Sequence, residues 1–446
     1  MVRGCGVQTV EQRPPQPTRC TRHHDRVRGR QGVHGAETRG QDPDRYDAAN
    51  VDETSDQTSE LHELVGRVLA AGVRRVHVLA WRDLDDPDAG GSEVHADHFM
   101  RRWSEAGLEV LHRTSAARGL PETAVRHGYD VVRRGSRYSV FPRTVAAELT
   151  HRMGPYDALV EIWNGVPWGS PVWCRRPRFT IVHHVHGPMW EQILPRPLAG
   201  LGRTLETRLA PPFYRRTRIV TPSGSTRDEL LGLGFGPEMV TAVDNGVDEF
   251  FCSTRRRDDQ PTIVAAARLA PVKRFPLLLE IAGSARERVP GLRLRIVGDG
   301  PERPLLEAWI AEHRAHDWVT LVGYVPREHL RDEYSRAWVV ASASVAEGWG
   351  LALTEAAACG TPAVATDITG HRSSVIDGVT GVLAPPDQMA DRLVEVLTDP
   401  LRRERLAAAA LDRARTLTWD ASATGITRVL HEVVVRESRR TTRRAR

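Results

Sequence analysis

From about residue 75 onward, short apolar runs alternate with stretches in which apolar positions recur every three or four residues. Runs near 75–80, 108–112, 157–162, 179–183, 218–221 and 239–243 read as strands, and stretches such as 93–106 and 225–233 read as amphipathic helices between them. That alternation predicts an α/β fold with a parallel, doubly wound sheet covered by helices on both faces. The rhythm halts at the polar stretch 252–261 and restarts with runs near 262–267, 292–297, 318–322, 338–342 and 362–365. A chain of 446 residues also exceeds what one hydrophobic core organises, so two domains are expected, over 56–250 and 251–418. An amphipathic stretch follows Trp419, read as a closing helix over 419–436, and residues 437–446 read as a mobile arginine-rich tail. Residues 1–55 carry Pro14, Pro15, Pro17 and many charges but no apolar period; they read as a disordered extension or a misassigned start.

Composition narrows the classes. Basic residues number 62 against 57 acidic ones, which suits a protein handling anions but does not by itself imply nucleic acid. The five cysteines are scattered with no paired spacing, so a reducing, cytoplasmic setting is expected. No apolar run reaches the roughly 18 residues of a spanning helix, and the N-terminal stretch lacks the apolar segment of a signal peptide. Peripheral contact with an anionic membrane, at the inner face, stays open through the arginine-rich tail. Of the 62 basic residues only Lys273 is a lysine, which marks it as a candidate for a site needing a compact point charge.

In doubly wound sheets ligands sit beyond the carboxyl ends of the strands, and four segments there are unusual. After the first strand, Gly90 and Gly91 precede Ser92 and a helix, where free amides and the helix dipole favour a phosphate; an ordinary loop is the plainer reading. After the first strand of the second domain, Arg268 and Lys273 lie five apart and could clamp a diphosphate, or pair with a local carboxylate. The segment "VAEGWGLALTEAAACG" places Glu347 before a turn through Trp349 and Gly350, and Glu355 just over one turn into a helix from Gly350 or Leu351 to Gly360. Its two carboxylates would address different parts of one elongated ligand. The run "FTIVHHVHG" ends a strand in His183, His184 and His186; in an extended chain His184 and His186 share a side and His183 faces away. With no nearby carboxylate or cysteine partner in sequence, a cleft histidine or a core residue is preferred to a metal ligand.

Together, the double glycine, the histidine after a middle strand, Arg-x4-Lys and Glu-x7-Glu, in this order, resemble the family-4 retaining glycosyltransferases over about residues 74–436. The resemblance implies the GT-B fold, two Rossmann-like domains with the active site in the cleft between them. It implies a nucleotide-sugar donor held mainly by the C-terminal domain and an acceptor held by the N-terminal one. It further implies that Arg268 and Lys273 bind the donor pyrophosphate, that Glu355 hydrogen-bonds the ribose, that Glu347 holds the donor sugar, and that the Gly90–Gly91 loop approaches the phosphates. Backbone groups near Val325 would meet the base, and the family's active-site histidine corresponds to His183 or His186. Two positions depart from the family pattern: Asp244 stands before Asn245 where proline is usual, and Trp349 replaces phenylalanine or tyrosine.

The expected activity is metal-independent transfer with retention from a UDP- or GDP-linked sugar, the protein's cations and a helix N-terminus neutralising the leaving diphosphate. No cofactor is expected, and no nucleic-acid partner; the acceptor is unidentified, with a glycolipid or cell-surface polysaccharide as candidates. The alternatives are a nucleotide-sugar epimerase on the same scaffold and a non-catalytic anion or membrane binder.

Overall fold

The computed structural model describes residues 44–193 and 195–445. Two sheets form the frame. The first contains β1 (Arg75–Leu79), β2 (Glu109–Thr114), β3 (Thr123–Arg126), β4 (Tyr129–Arg133), β5 (Ala158–Trp163), β6 (Arg178–Val182), β7 (Arg218–Thr221) and β8 (Val240–Ala242), in the spatial order β3-β4-β2-β1-β5-β6-β7-β8. All neighbours are parallel except the β3–β4 hairpin. The second contains β9 (Thr262–Ala266), β10 (Arg293–Val297), β11 (Val319–Gly323), β12 (Val339–Ser342), β13 (Ala363–Thr366) and β14 (Gly381–Ala384), wholly parallel in the order β11-β10-β9-β12-β13-β14. Strand order reverses beside β1, between β2 and β5, and beside β9, between β10 and β12. At such reversals the connections leave in opposite directions and a crevice opens at the carboxyl ends.

Alternation along the strands builds the core. In β9, Ile263 packs with Leu294, Ile296 and Val339 on one face, while Val264 packs with Val297, Val340 and Trp349 on the other. Neighbouring residues of a strand point to opposite faces, so a strand covered on both sides is apolar throughout. The first sheet buries Val76, Val78, Val160 and Ile181 against Phe99 and Trp103 of helix Gly91–Glu105.

Helix Trp419–Ala445 belongs to this first core although it follows the second sheet in sequence. Ile426, Val429, Leu430 and Val434 pack beside Leu61, Val65 and Val68 of helix Asp44–Ala70, and Trp103 Nε1 donates to Thr427 Oγ1 at 2.7 Å. The chain therefore crosses between domains twice, and the crossings run side by side: Val247 N donates to Leu417 O at 2.8 Å. A Cβ on Gly246 would lie 2.4 Å from Trp419 N, so only glycine fits there.

The structure corrects the sequence reading at both ends. Residues 44–55, assigned to a disordered extension, lie on helix Asp44–Ala70, because the apolar stripe that begins at Leu61 has the closing helix to pack on. Residues 1–43 lie outside the described residues. The closing helix begins at Trp419 but continues through Ala445, so residues 437–445, read as a mobile tail, extend it.

Leu430 is fully buried between the two terminal helices and the first sheet. Leu430→Ala should therefore cost about 2–5 kcal/mol. Urea unfolding followed by circular dichroism checks this; an unchanged midpoint would detach the closing helix from the N-terminal core.

Candidate functional site

The loop leaving β9 makes a short turn over Pro271–Lys273, and Arg274 enters helix Phe275–Arg286 in the left-handed region at φ 50°. That turn sends the Arg274 guanidinium to the carbonyls of Ala343 and Ser344, at 2.7 and 3.1 Å, tying this loop to the one after β12. Lys273 then meets Glu347: its ammonium ion-pairs with Oε1, the oxygen that also accepts from Ser344 Oγ at 2.8 Å. Burial pushes the Glu347 carboxyl up, but Lys273, and then His371, hold it below its usual value. His371 is buried beside this pair, with Nδ1 set 2.8 Å from the Thr366 carbonyl and Nε2 without a protein partner.

Beyond Glu347 the chain turns through Trp349, which is buried, and Gly350, at φ 97°, and enters helix Leu351–Ala358. Gly350 permits the left-handed turn that directs the first free amides of this helix at the crevice. Glu355, inside the helix, accepts from Tyr334 OH at 3.0 Å, and burial pushes its carboxyl up to about 7. Val325, past the end of β11, joins the same apolar cluster as Trp349 and Leu351.

The first domain supplies the opposite wall. Gly90 N donates to Glu93 Oε2 at 2.7 Å, fixing the start of helix Gly91–Glu105. His95 of that helix faces His183 at 2.9 Å, Nδ1 to Nε2, and burial holds both imidazoles well below their usual pKa. Both are therefore neutral, one donating and the other accepting. His184 and His186 stack with ring centroids 4.4 Å apart. His186 lies 3.4 Å from buried Glu206, which also accepts from the amides of His186 and Gly187, at 2.9 and 3.0 Å, and from Trp190 Nε1 at 3.0 Å.

The walls touch. A Cβ on Gly91 would lie 3.3 Å from Leu351 Cδ1, and one on Gly348 would lie 2.5 Å from His183 O. Arg268 reaches across to Asp88 at 3.0 Å, and Asp88 also ion-pairs with Arg137. In this closed arrangement each cation of the expected diphosphate clamp faces a protein carboxylate.

Of the residues singled out in sequence, Lys273 and Glu347 are in direct contact, Gly91 abuts Leu351, and His183 abuts the acidic loop. His186 lies apart from that contact, held by Glu206. Sequence reasoning weighed Asp88 only as part of an Asp-x-Asp without metal-site context, and gave no role to Ser344, His371, Arg274 or Glu206. Ser344 was within sight, three residues before Glu347 in the same loop; His371 and Glu206 sit on separate helices and gave no local signal. Among the described residues no group of three or more His, Cys, Asp or Glu is arranged to hold a metal ion. No described helix is long and apolar enough to cross a membrane.

Residues 89–249 match the family described as Glycosyltransferase Family 4, and residues 247–413 the one described as Glycosyl transferases group 1. The D-inositol 3-phosphate glycosyltransferase of Kribbella flavida is 31% identical over 79% of this chain and 94% of its own length. That of Frankia alni is 34% identical over 76% and 94%. Among solved structures, sucrose-phosphate synthase from Thermosynechococcus elongatus superposes with a TM-score of 0.66 at 20% identity, over 78% of this chain and 96% of that one. Anabaena HepE, in complex with UDP and glucose, gives 0.62 at 18%, over 80% and 99%. The fold is GT-B, and the chain belongs to the family-4, group 1 glycosyltransferases.

The raised Glu355 carboxyl predicts a pH effect on the ligand-free protein. Between about 4.5 and 7 the folded state holds a proton here that the unfolded chain has released, so this group's contribution to stability is full at low pH and is lost as pH rises through about 7. Thermal unfolding from pH 5 to 8 should show the wild type losing stability relative to Glu355→Gln as pH rises; parallel curves would refute the raised value.

Proposed function

We propose that this glycosyltransferase takes its sugar from a nucleotide diphosphate sugar, UDP- or GDP-linked, and transfers it with retention and without a metal ion. The observation that carries this reading is the Lys273–Glu347 pair at the mouth of helix Leu351–Ala358, with Arg268 close by on the same loop. A diphosphate entering the cleft would take over Lys273 and Arg268 from Glu347 and Asp88, and would meet the free amides at the helix start. Three positive elements supply the countercharge that a metal provides elsewhere, in a preorganised setting.

Glu347, released from Lys273, would then hold the donor sugar, and Glu355 the ribose. The acceptor hydroxyl would enter from the face the diphosphate leaves, forming its bond to the anomeric carbon as the carbon–oxygen bond to phosphate breaks, with the proton passing to the departing phosphate. His183, whose carbonyl lies against Gly348, would border that space from the first domain. HepE, whose structure contains UDP and glucose, supports a uridine-linked donor as the first to try. The Kribbella flavida and Frankia alni relatives are named for D-inositol 3-phosphate, so a small phosphorylated polyol stands beside glycolipid and polysaccharide as an acceptor class to screen.

Lys273→Ala should remove a charge-assisted contact of about 1.5–3 kcal/mol and weaken donor use about 10-fold or more, with folding intact. Wild-type donor affinity and turnover in that variant would reduce Lys273 to structural charge. Activity should persist in excess chelator; loss restored by magnesium or manganese would overturn metal independence. The two glutamates should separate by calorimetry and steady-state rates. Glu355→Gln should weaken the free nucleoside diphosphate as well as the donor, whereas Glu347→Gln should lower kcat with little change in nucleoside diphosphate affinity. Equal losses of nucleotide affinity in both would break the division.

A further inference from the structure

The segment between β6 and β7 carries a surface that the cleft does not use. Helix Arg196–Thr204 continues through a wider turn over Leu205–Leu209 into helix Pro211–Tyr214. Ala199, Gly202, Glu206, Ala210 and Tyr214 form its buried side. Its outer side exposes Leu198 and Leu201, at 51% and 61%, and Leu209 and Phe213, at 53% and 63%. Single exposed apolar residues are ordinary on a protein surface. Here four of the thirteen large apolar residues exposed among the described residues fall within 198–213, which makes a patch.

Arginines dominate the charge around the patch. Arg196, Arg203, Arg208, Arg215 and Arg216 are all exposed. Glu206 is turned inward, and Glu191 is 3.4 Å from Arg203. An isologous contact with a second copy would bring these arginines against their own equivalents. A surface of phosphates over an apolar interior suits both features, because guanidinium groups pair with phosphate while their stems lie along apolar surface.

The patch is also fixed to the cleft. Glu206 holds the amides of His186 and Gly187 and the indole of Trp190, and a Cβ on Gly202 would lie 2.7 Å from the Trp190 ring. We propose that the outer face of residues 196–216 is a docking surface for an anionic lipid bilayer, into which Leu198, Leu201, Leu209 and Phe213 insert while the surrounding arginines pair with lipid phosphates. Docked this way, the first-domain wall at His183–His186 lies next to the segment that meets the headgroups. This consequence deepens the acceptor reading and rests on it, whereas the docking itself does not.

Sedimentation of the full chain with vesicles tests the surface without reference to activity. Vesicles mixing phosphatidylcholine and phosphatidylglycerol should bind the protein, pure phosphatidylcholine far less, and added salt should weaken the binding. Leu201→Ser with Phe213→Ser should lower the partition coefficient about 10-fold or more, since each side chain contributes apolar burial at the interface. Arg439→Gln with Arg440→Gln, in the terminal helix, should leave it within about 2-fold, as a control for general basicity at a surface. Nucleoside diphosphate affinity should match wild type in both double variants, showing that the fold survives. Equal vesicle binding by wild type and the Leu201/Phe213 variant, no preference for the anionic vesicles, or a wild-type dimer in solution that this variant dissociates would each overturn the proposal. Glycosyl transfer to a soluble acceptor, measured separately, reports on the catalytic reading alone.

Discussion

A cation brought to the carboxyl end of a parallel sheet and partly desolvated needs an anion, and much of the cleft is arranged around that need. Lys273 is positioned by the turn after β9, and Arg274, next in sequence, locks that turn to the loop after β12. The partner for Lys273 is then the carboxylate carried by that second loop. Ser344 adds a hydrogen bond to the same oxygen, and His371 lies close enough for its interaction with Glu347 to be felt. Half-exposed Arg268 draws Asp88 from the other domain instead. Exposed pairs of this second kind contribute little stability, about 0–1 kcal/mol, so they can be exchanged for a ligand's charge at small cost.

Close backbone approach sets where the walls meet. Gly348 lies against the carbonyl of His183, and Gly370 against the backbone of Glu347; a side chain at either would push apart the elements that bear the charges. The doubled crossing near Gly246 and Trp419 has the same character. Because helix Trp419–Ala445 packs its apolar side into the first-domain core, the second sheet is held at both its entry and its exit. Relative movement of the walls must therefore be absorbed in a few residues beside those crossings.

The buried histidines divide the first-domain wall into two sets of contacts. His95 and His183 form a neutral pair whose orientation is fixed by one hydrogen bond. His186 is instead tied through Glu206 to the segment bearing the exposed leucines. The Glu206 carboxylate, held below its usual pKa by His186 and two backbone amides against the opposing effect of burial, thus connects the cleft to the outer surface.

The sequence by itself determined the two-domain α/β plan, because buried parallel strands and their helices leave an unmistakable alternation, and most strands fall where that alternation puts them. It also determined the start of helix Leu351–Ala358 and its end before Gly360, since glycines at both ends act locally. Weak local patterns were not legible: the β3–β4 hairpin at the sheet edge has Val125 74% exposed, and β14 is a short strand at the edge of the second sheet. Residues 44–55 gave no apolar period, and only packing against the closing helix accounts for the helix they join. The tertiary structure decided which charges meet. That Lys273 faces Glu347, 74 positions away in sequence, and that Arg268 faces Asp88 on the other domain, follow from the apposition of two sheet ends. A local sequence pattern can place a charge at the end of a strand, but the choice of its partner belongs to the topology that brings two strand ends together.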